Sequence, residues 1–133
     1  MANTTTVLIV ECDRDMRHLL HDEFWSAGYR IREAQDGEEA LRAVLETPPD
    51  IILTDLHLPA GATDYISRLH RIAPQCPILV MTAFGGAQVR DNVMQAGASA
   101  YFDKPVRISD IRAKVEGLLF NSNWRVCDGN RQW

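Results

Sequence analysis

Several features that mark whole classes of protein are scarce in this chain. Among 133 residues there are three cysteines, Cys12, Cys76 and Cys127. They are odd in number and widely spaced, matching neither a disulfide framework nor a CxxC metal pair, which points to a reducing, cytoplasmic home. No apolar run is long. The first, Val7 to Val10, stops at Glu11 and has no basic start before it, so it is too short for a signal peptide or a membrane span. Cations are not in excess either: 14 Lys plus Arg stand against 18 Asp plus Glu, a net charge of −4, which argues against a broad grip on a nucleic-acid backbone. Internal repeats and low-complexity stretches are missing, while 46% hydrophobic and 24% charged residues are ordinary globular usage. One compact domain with a core of its own is expected.

What is present is a strict alternation of two periods. Val7 to Val10, Ile51 to Thr54 and Ile78 to Met81 are apolar or β-branched throughout, the pattern of strands covered on both faces. Tyr29 to Ala34 and Ala100 to Asp103 mix apolar and polar residues and suit the edges of a sheet. Between the strands lie helical periods. Met16, Leu19, Leu20, Phe24 and Ala27 make one face, and Ala40, Leu41, Val44 and Leu45 a second, with Asp36 and Glu39 placed as a capping box and Pro48 as a stop. Ile66, Leu69, Ile72 and Ala73 form a third before Pro74, and Val89, Val93 and Ala96 a fourth before Gly97. Ile108, Ile111, Val115, Leu118 and Leu119 form a fifth.

Five such units predict an α/β fold with a doubly wound parallel sheet, because right-handed crossovers lay each helix over one face. With the apolar strands inside and the mixed ones outside, the order is 2-1-3-4-5, the flavodoxin-like (βα)5 arrangement. After Phe120 the period fades, and residues 121–133 read as a tail, a linker to a further domain or an extra packed element.

In open α/β sheets ligands gather beyond the carboxyl ends of the strands. Those ends carry Glu11, Cys12 and Asp13, then Asp55, then Thr82 and Ala83, then Lys104 before Pro105. Carboxylates crowded at one rim call for a cation. Oxygen donors without imidazole pairs suggest Mg2+. A lysine and a hydroxyl at the same rim can hold phosphoryl oxygens, so the set could form an aspartyl-phosphate site.

The stretches VLIVECD, PDIILTDLHLP, PILVMTAF and AGASAYFDKP, in this order and spacing, resemble the receiver domain of two-component response regulators over about Val7 to Phe120. The resemblance implies a receiver domain over residues 1–120 in which Asp55 accepts a phosphoryl group from a histidine kinase or phosphotransfer protein. It further implies Thr82 as the switch hydroxyl, Tyr101 as its coupled aromatic, Ala83 and Lys104 in phosphate binding, and a cis bond before Pro105. The His57 backbone carbonyl becomes a Mg2+ ligand beside Glu11 and Asp55. A downstream output domain or protein would read the switched face of the fourth helix, fifth strand and fifth helix, which could also form a homodimer. Such a domain signals in a phosphorelay and is no conventional enzyme, with at most slow self-phosphorylation and dephosphorylation.

The chain departs from the family at three places. Where an adjacent acid pair is usual it reads Glu11-Cys12, and a neutral thiol is a poor ligand for so hard a cation. Either Glu11 reaches the ion, or Asp13 turns inward, or metal binding is weak; Asp13 equally suits a helix cap, and a small buried thiol is the ordinary reading of Cys12. Thr63 stands where a glycine is usual, so the loop after Pro59 would turn at Gly61 instead. Leu58 replaces a common methionine. Two other readings follow: a degenerate receiver acting by protein contact without phosphate, and a small aspartate-nucleophile phosphatase, which would need an acid where His57 stands.

Overall fold

The computed structural model describes residues 5–56 and 61–127, with the backbone alone over 121–127. Strands and helices alternate as β1 (Thr6–Val10), α1 (Arg14–Ser26), β2 (Arg30–Ala34), α2 (Gly37–Glu46), β3 (Ile51–Asp55), α3 (Ala62–Ile72), β4 (Ile78–Thr82), α4 (Ala87–Ala96), β5 (Ala100–Asp103) and α5 (Ile108–Cys127). The five strands form one parallel sheet in the order β2-β1-β3-β4-β5, as the polarity pattern predicts.

Successive strand side chains point to opposite faces, so each apolar strand feeds two cores. Leu8, Val10, Ile52, Ile78 and Val80 pack with Ala40, Val44, Ile66, Leu69 and Val93 from α2, α3 and α4. Val7, Ile9, Ile51, Leu53, Leu79 and Met81 pack with Leu20, Phe24, Ile111, Val115 and Leu119 from α1 and α5. Each wholly buried Leu, Ile or Val contributes roughly 1.5–3 kcal/mol over its exposed state, so the two layers together fix the strand ends that carry the polar groups.

Local signals place the helices. Asp36 Oδ1 accepts from Glu39 N–H at 2.9 Å while Glu39 Oε1 accepts from Gln35 N–H at 2.9 Å, a reciprocal cap shifted by one residue at its return bond. Gly61, at φ +85°, turns the chain into α3, where the sequence places the turn; Leu58 and Pro59 lie outside the described residues. The Lys104–Pro105 bond is cis.

Two expectations need correction. Leu19 and Leu45 are exposed, at 57% and 67%. In α1 and α2 the pairs Leu20/Phe24 and Ala40/Val44, spaced i, i+4, already fill the contact with the sheet, and the broader apolar stripe turns its margin to solvent. The helical backbone of α5 continues past Phe120 to Cys127. Residues 121–127 hold neither proline nor glycine, and a formed helix extends at little cost where nothing stops it. Among the described residues no helix is long and apolar enough to cross a membrane.

Candidate functional site

Four strand ends meet at one rim. β1 delivers Glu11, which is only 1% exposed and spends both carboxylate oxygens on protein donors: Oε1 accepts from Lys104 Nζ at 2.9 Å and Oε2 from Asp13 N–H at 3.1 Å. Its backbone carbonyl accepts from Arg17 at 2.8 Å. Burial pushes the Glu11 carboxyl above its ordinary value, and the Lys104 hydrogen bond works against that rise.

β3 ends on Asp55, whose Oδ1 lies 3.4 Å from Lys104 Nζ. Behind it, Thr54 Oγ1 donates to the Asp55 carbonyl at 2.9 Å and lies 2.9 Å from Tyr65 Oη on α3. Burial first, then the neighbouring Asp55 and Asp36 charges, push the Tyr65 phenol up to about 12, against the Thr54 bond.

Lys104 follows β5, and its N–H donates to the Thr82 carbonyl at 2.8 Å, so β4 fixes its backbone. Burial alone would lower its pKa; the Glu11 hydrogen bond and the Asp55 and Glu11 charges outweigh that and hold the ammonium above its ordinary value. A lysine held charged between two carboxylates marks where an anion could be received once those acids are neutralised.

Glu11, Asp55 and Lys104 therefore come together as the sequence predicts, and Cys12 joins them, its Sγ 3.8 Å from Asp55 Oδ2. Cys12 is exposed, against the expectation of a buried thiol: it lies one residue beyond the last position the sheet covers. Partial desolvation, then the Asp55 and Glu11 charges, raise its pKa, which disfavours the thiolate and its reactivity. Asp13 is not among the metal-capable group; its Oδ2 accepts from Met16 N–H at 2.9 Å and caps α1.

Thr82 is 1% exposed. Its hydroxyl donates at 3.1 Å to the carbonyl of Leu56, the residue after Asp55, and accepts from Phe84 N–H at 3.0 Å. Ala83 follows it, exposed. Tyr101 Oη donates to Asp103 Oδ1 at 2.7 Å and accepts from Gly86 N–H at 3.2 Å. Partial burial and the Asp103 bond push its phenol up to about 12. A Cβ on Gly85 would overlap the Tyr101 hydroxyl and the Asp103 carboxylate, so glycine there makes room for this contact. His57, whose backbone carbonyl is an expected metal ligand, lies outside the described residues.

Sequence reasoning misses Arg17, Tyr65 and Asp103. Arg17 left a signal, sitting one turn after the Asp13 cap, and Asp103 left one too, two residues from Tyr101 on the same strand; Tyr65 meets a partner that only the fold brings near.

Among the described residues one group can hold a metal ion: Glu11, Cys12 and Asp55, with donor atoms within 4.8 Å of one another. Its two carboxylates suit a largely hydrated Mg2+, which is commonly held by one or two such groups. The thiol adds nothing for that ion.

Comparison with known proteins identifies the family and the fold. The family model for the response regulator receiver domain matches residues 7–116. Over 114 residues the chain is 35% identical to the transcriptional regulatory protein PhoP of Escherichia coli, a match covering 85% of the chain and 51% of that relative. The chain thus spans about half the length of the curated relatives it matches. Among solved structures, a putative response regulator from Chloroflexus aurantiacus is 31% identical with a TM-score of 0.77, over 88% of this chain and 98% of that one. A two-component response regulator from Clostridium difficile is 26% identical with a TM-score of 0.83, over 90% and 99%.

Proposed function

The chain belongs to the response regulator receiver family, and on that premise we propose that Asp55 is its phosphoryl acceptor. The observation that carries this is the Lys104 ammonium lying within 3.4 Å of Asp55 and 2.9 Å of the buried Glu11, at the carboxyl ends of the strands.

In the reaction a carboxylate oxygen of Asp55 attacks phosphorus, and the new P–O bond forms as the P–N bond of a phosphohistidine breaks. The electron pair returns to the imidazole nitrogen, which takes up a proton. The product is an acyl phosphate. Lys104 is placed to pair with the transferred oxygens, while Glu11 holds the lysine over the site. A divalent cation, Mg2+ by family precedent, would be held by Glu11 and Asp55 and would offset the repulsion between carboxylate and phosphoryl oxygens. Thr82 is the hydroxyl that leaves the Leu56 carbonyl for a phosphoryl oxygen, and Tyr101 leaves Asp103 as the β4–α4 loop follows; phosphate then selects between two arrangements of the same loop. Ala83, exposed beside Thr82, lends its backbone to the phosphate pocket, and the backbone carbonyl of His57 would be a further ligand to the cation by family precedent.

The family signals and is not a conventional enzyme class; slow self-phosphorylation and self-dephosphorylation are the chemistry proposed for this chain. Its donors are a histidine kinase or phosphotransfer protein in the cytoplasm. Its reader is an output domain reached through residues 121–133, or a separate protein, engaging the α4-β5-α5 face, which is also the proposed homodimer surface. The test is incubation with a small phosphoramidate or acyl phosphate and Mg2+. One phosphoryl mass should be gained and lost again in Asp55→Asn. No adduct with any divalent ion would sink the reading and leave a domain that works by contact alone.

A further inference from the structure

The metal-capable rim joins donors of unlike chemistry. Cys12 Sγ and Asp55 Oδ2 stand 3.8 Å apart, while the Lys104 ammonium lies 3.4 Å from the other oxygen, Oδ1. The Glu11 oxygens are drawn inward by Lys104 and the Asp13 N–H. Cys12 is exposed while Glu11 is buried, so an ion arriving from solvent meets the sulfur before the Glu11 oxygens. A hard ion such as Mg2+ gains little from sulfur and keeps its water, whereas softer divalent ions bind thiolate strongly.

From this donor set we infer that the metal position prefers a thiophilic divalent ion, of the Zn2+ or Cd2+ class, over Mg2+, with Cys12 Sγ and Asp55 Oδ2 as direct ligands and a Glu11 oxygen as the third. The inference rests on the reading of this rim as the receiver's metal position. Binding releases the thiol proton to solvent. The thiolate, two carboxylates, the dication and the Lys104 ammonium then carry no net charge, so the ion and the bridging lysine together neutralise the rim.

Cd2+ and Mg2+ are each titrated into the protein in a Cys127→Ser background, with calorimetry and the ultraviolet thiolate-to-cadmium absorption as readouts. One Cd2+ should bind more tightly than Mg2+ and raise the absorption. Cys12→Ser should abolish the absorption and weaken Cd2+ by at least the ~10-fold that loss of an outer partner of a metal ligand costs, while changing Mg2+ affinity far less. Asp55→Asn should weaken Cd2+ as well. Cd2+ binding unchanged by Cys12→Ser, absorption that persists in that variant, or Mg2+ binding as tight as Cd2+ would each overturn the inference. The same samples are exposed to a phosphodonor with Mg2+. An adduct without Cys12-dependent Cd2+ binding removes the metal preference and leaves the receiver reading intact. Cys12-dependent Cd2+ binding without any adduct removes the acceptor role and upholds the metal preference.

Discussion

Lys104 Nζ stands 2.9 Å from Glu11 Oε1 and 3.4 Å from Asp55 Oδ1, a single ammonium shared by a buried acid and the acid proposed to accept phosphate. The two distances divide its work. The shorter contact belongs to the acid that solvent cannot reach, so Glu11 holds Lys104 in place and Asp55 remains the looser, exchangeable partner.

Removing that ammonium leaves a buried carboxylate without its cation. Lys104→Met should lower stability by about 1–3 kcal/mol, the cost of stranding a buried charged acceptor, read by urea unfolding at neutral pH. The deficit should shrink as pH falls toward 4.5, because Glu11, already raised from that value by burial, then takes a proton on folding and no longer needs a cation. In the parent protein the Lys104 contribution is complete below pH 10.5 and fades as pH rises through its higher folded value. Phosphorylation by a small donor should also slow in the variant. A deficit that is the same at neutral and acid pH would contradict the stranded-carboxylate account.

Asp13 and Glu11 are two residues apart and do separate jobs. Asp13→Ala should remove the α1 cap and cost about 0.5–2 kcal/mol, with Mg2+ affinity and donor phosphorylation nearly unchanged. A large loss of metal affinity would return Asp13 to the metal site.

The contact of Tyr101 with Asp103 depends on the lack of a side chain at residue 85. Gly85→Ala should expel the Tyr101 hydroxyl from the Asp103 carboxylate and the Gly86 N–H, and its phenol should return from about 12 toward 10. The loss of two hydrogen bonds at a partly exposed site should cost about 1–2 kcal/mol. Phenolate absorption during a base titration reads the first effect, with Tyr101→Phe identifying the signal. A Tyr101 phenol that stays near 12 would show that the loop moves instead.

All three tyrosines are held above their ordinary value of 10.0, Tyr65 and Tyr101 near 12. Below pH 10 the folded and unfolded chains carry the same phenol protons. Between 10 and 12 the unfolded chain has released protons that the folded chain keeps, so stability must fall as pH rises across that window. Urea midpoints measured from pH 9 to 12 should decline, and less steeply in Tyr65→Phe.

The strands were legible because burial on both faces writes itself into sequence: Ile51 to Thr54 and Ile78 to Met81 have no polar side to misplace. Two of their ends were legible for the same reason, since Asp55 and Thr82 stand where such a run stops, while Lys104 follows the mixed edge strand β5. Helix margins were less so. Leu19 and Leu45 carry the right period but fall outside the width of contact the sheet offers, a matter of tertiary geometry. Tyr65 escaped notice because what makes it matter, a threonine on β3, comes near only when α3 packs against the sheet, whereas Asp103 lies two residues from Tyr101 on the same strand and was within reach of the period-2 pattern. Cys12 was misplaced by a single step, where cover by the sheet gives way to solvent.

Every group of the site hangs from one edge of the sheet, while the connections that close the opposite edge, such as the exposed Pro74–Gln75 turn between α3 and β4, touch none of it. A short epitope or fluorophore-binding peptide spliced into that turn would therefore report on the molecule from its far pole without perturbing the chemistry. The two poles can be engineered independently.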